Sequence, residues 1–112
     1  MKKLEIIIKP GMLETLKDVL EEHKCGGMTV LSVMGYGNQK GHGNEFKGLK
    51  VNLNLLPKIM AVAIVPDDAV EDLLVDIHEK ISTNSVGDGK VFITDLSDVM
   101  RIRTGERGEN AI

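Results

Sequence analysis

The chain has 112 residues, one domain's worth of polypeptide, and folding should bury about two-thirds of its accessible surface. Fourteen basic and seventeen acidic side chains leave a net charge of −3, so nothing draws the molecule as a whole to nucleic acid or to an anionic membrane. Three aromatics (Tyr36, Phe46 and Phe92) are too few for base-stacking platforms, and a single cysteine, Cys25, excludes an internal disulfide and any multi-cysteine metal site.

The opening MKKLEIIIKP is too broken for a signal peptide. Glu5 interrupts its apolar stretch, Lys9 and Pro10 end it, and no small-residue cleavage site follows. The longest apolar run, 59–65, is seven residues, far below the ~20 of a membrane-spanning helix. The expected location is the cytoplasm.

Residues 4–8 read as a central strand, apolar on both faces and stopped by Pro10. Leu13, Leu16, Val19 and Leu20 then mark an amphipathic helix, with Gly26-Gly27 as its expected stop. Residues 28–34 read as a second strand. The second half repeats the plan: a buried strand at 59–65, a turn and N-cap from Pro66-Asp67-Asp68, a helix carried by Val70, Leu73, Leu74, Ile77 and Ile81, and a returning strand at 91–94. The sum is an α+β, ferredoxin-like βαββαβ sandwich, two helices on one face of an antiparallel sheet. Residues 99–102 predict a short fifth strand, followed by a mobile polar tail. Met60, Val62 and Ile64 would leave the second sheet face apolar, which on a monomer is unusual and points to a homo-oligomer.

Between residues 34 and 59 the connection far exceeds the usual ~4–6 residues. GYGNQKGHGNEFKG cannot build a core, whereas Leu49, Val51, Leu53 and Leu55 alternate with polar residues as in a half-buried strand. Both a tolerated surface insertion and a ligand-ordered recognition arm fit this pattern.

Residues 83–90, TNSVGDGK, are not a Walker A loop: Asn84 replaces its first glycine, Val91 follows Lys90, and a strand follows where a helix is required. Gly87 and Gly89 could still turn N–H groups toward an anion beside Lys90, and a plain tight turn fits the residues equally well. Arg101 and Arg103 would share one side of an extended segment, and guanidinium forks match phosphate oxygens. Together these residues suggest a polyphosphate site. His23, His42 and His78 have no partners at metal-ligand spacing. Lys58, at the foot of the arm, is either a snorkelling strand-edge lysine or an anion contact. No nucleophile or carboxylate pair stands out, so the chain reads as a non-enzyme.

Seven segments in order — MKKLEIIIKP, GMTV at 27–30, GYGNQKGH at 35–42, LPK at 56–58, VPDD at 65–68, GDGKVF at 87–92 and RIRTGE at 101–106 — closely resemble the PII nitrogen-regulatory signalling family over the whole chain. The resemblance implies one domain over 1–112 in a homotrimer, with ATP and ADP competing for clefts between subunits. It also implies a flexible T-loop at 37–55, a phosphate-binding loop at 82–90 and a C-terminal segment at 101–112. Carried over by position, Thr29 and the backbone at Ile64 hold adenosine, while Gly35, Tyr36, Gly37 and Asn38 lie along the nucleotide. Gly87, Asp88, Gly89 and Lys90 cradle phosphates, and Arg101 and Arg103 reach in from a neighbouring subunit. Gln39 would help to hold Mg²⁺ on ATP, and Gln39, Lys40 and Lys58 would meet 2-oxoglutarate. The implied partner is an ammonium channel or other transporter, a nitrogen-metabolism enzyme, or a transcription factor, engaged through the T-loop.

Several positions depart from the family pattern. Val51 stands where some members carry a modified tyrosine and Leu49 where others carry a phosphorylated serine; neither has a hydroxyl to modify. Asn38 replaces a frequent phosphate-contacting arginine, Asn84-Ser85 replaces Gly-Lys, and GNEFKG at 43–48 replaces the usual arm tip. An energy-only sensor without a 2-oxoglutarate response, controlling a transporter outside nitrogen metabolism, is therefore the alternative. Two other ferredoxin-like classes fit less well. An acylphosphatase-type enzyme would need an Arg-Asn phosphate site in the first strand–helix loop, where this chain has Lys9-Pro10-Gly11-Met12. A metal-responsive trimer would need clustered ligands.

Overall fold

In the first strand, β1 (Lys2–Ile8), Leu4, Ile6 and Ile8 are buried while Lys3, Glu5 and Ile7 are only half-buried, so one face of the sheet takes the core and the other does not. The computed structural model describes residues 1–37 and 55–112, and in it β1 is followed by α1 (Leu13–Glu22), β2 (Thr29–Tyr36), β3 (Leu55–Val65), α2 (Val70–Ile81) and β4 (Lys90–Asp95). All strand pairs are antiparallel, in the order β2-β3-β1-β4. This is the ferredoxin-like α+β arrangement expected.

Leu16, Val19 and Leu20 of α1 and Val70, Leu73, Ile77 and Ile81 of α2 join Leu4, Ile6, Ile8, Ala61, Ala63 and Val65 in one core. Each large side chain buried there contributes roughly 1.5–3 kcal/mol. Ala61 and Ala63 are short, which lets the helices approach the sheet closely. Met60, Val62 and Ile64 point the other way and are half-buried, as the alternation predicts.

Several boundaries differ from the sequence reading. α1 does not run to Gly26-Gly27. It ends at Glu22, where Lys24 takes φ +58° and two backbone bonds close the end, Lys24 N–H to Glu21 O (3.0 Å) and Cys25 N–H to Leu20 O (2.9 Å). These are the paired bonds of a Schellman cap, and Cys25 packs against the core beyond it. Asp67 and Asp68 do not cap α2. They lie in a 3₁₀ turn (Asp67–Ala69), and Asp67 pairs with the Met1 ammonium at 2.9 Å. The third strand begins at Leu55, so it takes in Lys58 and the end of the alternating stretch. Residues 38–54, the rest of that arm, lie outside the described residues.

The expected fifth strand does not form. Met100 bridges Arg107 within a local turn, and residues 102–104 are turn rather than extended chain. The Asp98 carboxylate organises this segment, accepting from Val99 N–H (2.8 Å), Gly108 N–H (3.1 Å) and the Arg107 guanidinium. A 3₁₀ turn, Gly108–Ala111, follows, so the tail is folded back instead of trailing.

Candidate functional site

The sheet register brings distant segments to one end. Ile7 pairs with both Met60 and Lys90, and Gly35 pairs with Leu56, so the end of β1, the end of β2, the start of β3 and the start of β4 all meet there. On the helix-free face they enclose an open cleft of ≈ 390 Å³, lined by Gly35, Tyr36, Gly37, Lys58, Gly87, Gly89 and Lys90 together with Ile7, Val86 and Phe92. The first seven are residues the sequence singled out. The last three were missed, although Val86 sits inside the Gly-rich loop; an apolar residue 72% exposed on a loop is the available signal. Tyr36, Val86 and Phe92 offer exposed apolar surface to a flat ring, and Lys58 and Lys90 offer positive charge.

Local sequence explains this geometry. Gly89 takes φ +110°, and a Cβ there would lie 1.7 Å from the Ile7 carbonyl oxygen, so only glycine lets the loop rest on the end of β1. Asp88 holds the loop in shape. Its carboxylate accepts from Thr83 N–H (2.7 Å), the Thr83 hydroxyl (2.5 Å) and Ser85 N–H (3.2 Å), with Lys9 Nζ at 3.4 Å. The Thr83 hydroxyl and amide bonds above all, then those of Ser85 and Lys9, hold this carboxyl well below the usual carboxylate range. Asp88 borders a separate groove of ≈ 260 Å³ beside α2, with His78 and Ser82, and does not line the cleft.

Lys58 crosses the cleft floor and is 7% exposed. Its Nζ donates to Gly87 O at 2.7 Å, and its stem packs against Gly35, where an added Cβ would sit 3.1 Å from Lys58 Cγ. Burial lowers its pKa from the ordinary 10.5, the nearby Lys9 charge acts in the same direction, and Asp88 opposes both. The β3 lysine thereby ties the glycine-containing loop at 83–89 to the sheet.

The remaining candidates lie elsewhere. Thr29 opens β2 opposite Val62, and Ile64 lies opposite Lys3, toward the other end of the sheet. Six residue steps along the strand separate Thr29 from Gly35, roughly 20 Å at the usual rise. Neither lines the cleft. Arg101 and Arg103 do not share a side of an extended segment, since a turn runs between them; the Arg101 guanidinium meets Glu106 Oε1 at 3.0 Å, and Arg103 is exposed. Asn38, Gln39 and Lys40 lie outside the described residues. Among the described residues no group of three or more His, Cys, Asp or Glu is placed to hold a metal ion, and no helix is long and apolar enough to cross a membrane.

The family model "Nitrogen regulatory protein P-II" matches residues 1–106. Proteins named Nitrogen regulatory protein P-II from Mesorhizobium japonicum and Pasteurella multocida are 41% and 42% identical to this chain, over the full length of both partners in each case. Nitrogen regulatory protein P-II 1 of Escherichia coli K12 is 42% identical, again over the full length. The chain belongs to the PII family. PII proteins are regulatory signalling proteins that respond to small effector molecules and act on target proteins. The cleft joins glycine-rich backbone, two lysines and apolar surface.

Proposed function

We propose that this PII chain is a cytoplasmic single-domain sensor that binds ATP and ADP competitively at the 390 Å³ cleft, takes 2-oxoglutarate beside Mg-ATP, and controls a target protein through the T-loop at 37–55. The observation that carries the reading is the split of the candidate residues. Gly35, Tyr36, Gly37, Lys58, Gly87, Gly89 and Lys90 gather at one end of the sheet, while Thr29, Ile64, Arg101 and Arg103 lie outside that cleft. In a homotrimer that buries Met60, Val62 and Ile64, a neighbouring subunit supplies the second set to complete the site.

Lys90 and the arginines then meet phosphates, Gly87 and Gly89 supply close backbone, and the apolar wall takes the purine. Asp88 acts on the loop's shape, since its carboxylate is already committed to Thr83 and Ser85. Asn38 and Gln39 adjoin the nucleotide, with Gln39 assisting Mg²⁺ on ATP. Switching requires that ATP and ADP favour different T-loop arrangements, because a ligand with equal affinity for two states shifts neither. The target is a nitrogen-metabolism enzyme or a membrane transporter; the relatives' names, nitrogen regulatory protein, support the process alone.

A second reading, an energy-only sensor without 2-oxoglutarate, is favoured by Lys58. Its ammonium is buried against Gly87 O, so a dicarboxylate would have to displace that bond before pairing with Lys58, Gln39 or Lys40. Calorimetric titration tests both readings. ATP and ADP should each bind, with one displacing the other. Heat on adding 2-oxoglutarate in the presence of Mg-ATP selects the first reading and its absence the second. Failure of both nucleotides to bind refutes the site.

A further inference from the structure

The C-terminal turn places a carboxylate on the arginine that the nucleotide reading assigns to phosphate. Arg101 N–H donates to Glu106 O at 2.8 Å, and Gly105 N–H donates to Arg101 O at 2.8 Å, so backbone bonds close the turn. The Glu106 side chain is thereby set beside the guanidinium. Its Oε1 accepts from Arg101 Nη1 at 3.0 Å, while Arg101 Nη2 reaches the Ile112 carbonyl oxygen at 3.4 Å. Both terminal nitrogens of the fork are engaged, which takes up its end-on bidentate mode, while the Nε–H edge and a second N–H on each terminal nitrogen are further donors of the same group. Arg103, two residues on, has no ion-pair partner among the described residues. Glu106 likewise has no second one there.

We infer that Glu106 is an internal competitor for phosphate. It holds the end of the Arg101 guanidinium when the cleft is empty, and end-on contact with a phosphate must displace it. This rests on the nucleotide reading above. Glu106 touches no ligand itself; it positions Arg101 and sets how tightly the polyphosphate is held. Because Arg101 is 37% and Glu106 46% exposed, the pair is solvent-screened and its coupling modest, which makes the latch easy to open. The two states are Arg101 on Glu106 and Arg101 on phosphate, and the backbone bonds of the turn can persist in both.

The test compares the full chain with Glu106→Gln and Glu106→Ala, titrated with ATP, ADP, tripolyphosphate and adenosine. Both variants should bind ATP about 1.5- to fivefold tighter than the wild type, the range of an exposed ion pair. Tripolyphosphate affinity should rise in parallel, and adenosine affinity should stay unchanged. The gain should shrink as salt is raised and vanish in an Arg101→Gln background, as a double-mutant cycle requires. A general structural role would instead move adenosine and ATP together. ATP affinity that is unchanged or weaker in both variants, with the wild type binding normally, overturns the inference and leaves the nucleotide reading standing. Binding by neither wild type nor variants overturns both. Binding only by the variants supports both, with the latch stronger than an exposed pair normally is.

Discussion

Replacing Gly89 by alanine should strongly destabilise the fold. Two costs add. At φ +110° an L-residue sits in sparsely populated backbone space, worth about 1–3 kcal/mol. The new Cβ would also stand 1.7 Å from the carbonyl oxygen of Ile7 and 2.8 Å from its carbonyl carbon, and overpacking of this kind costs about 1–3 kcal/mol. The obstructing atoms are backbone, and Ile7 is held in register with both Met60 and Lys90, so no side-chain rotation relieves the clash. The sum, about 2–6 kcal/mol, is a large part of the ~5–15 kcal/mol that separates a typical domain from its unfolded chain. At about 4 °C per kcal/mol the midpoint should fall by about 8–24 °C. Calorimetry or urea unfolding at fixed protomer concentration reads this, since any oligomer makes apparent stability depend on concentration. Gly11→Ala is the control: nothing lies within 4 Å of its Cβ position, and the change should stay within about 0.5 kcal/mol. A Gly89→Ala protein within about 1 kcal/mol of the wild type would refute the close-approach argument.

Two further outcomes follow from the described contacts. Lys24→Gly should stabilise the chain by about 0.5–1 kcal/mol, because Lys24 holds φ +58° in the α1 cap while glycine reaches that conformation freely; an unchanged or lower unfolding midpoint contradicts this. Asp88 has a folded-state pKa below its ordinary 3.8, so its contribution is present above that value and lost as the pH falls through the folded value. The wild-type midpoint should therefore drop on acidification below about pH 4, and Asp88→Asn should flatten that slope; identical slopes would show that its bonds to Thr83 and Ser85 do not stabilise the fold.

The regular elements were legible because their patterns are strong. Leu16, Val19 and Leu20, like Leu73, Ile77 and Ile81, repeat at helical spacing, and the sheet alternates at Ala61, Ala63 and Val65 against Met60, Val62 and Ile64. The ends were less legible. Gly26-Gly27 looked like the stop for α1, yet Lys24 makes it, because two cap bonds and the packing of Cys25 offset the strain of a left-handed lysine. Asp67 looked like a cap for α2, yet a nearby ammonium took its carboxylate. Arg101 and Arg103 looked like neighbours on a strand, yet Asp98, nine positions before Arg107, draws the segment into a turn. For Asp67 and the arginines a distant partner outweighed a local preference, and at α1 two local cap bonds and the packing of Cys25 did so.

The sequence by itself determined the layered fold, the family and the residue types of the cleft, since periodicity, glycine placement and motif order are all local properties of the chain. Only tertiary structure decided which of those residues meet. The register that sets Ile7 between Met60 and Lys90 brings Gly35, Lys58 and Gly89 to one end of the sheet, and the same register sends Thr29 and Ile64 toward the other. It also decided the side-chain commitments, Lys58 to Gly87 O, Asp88 to Thr83 and Arg101 to Glu106. A charged group takes whichever partner the folded backbone brings within hydrogen-bond reach, and spacing along the chain does not specify that partner.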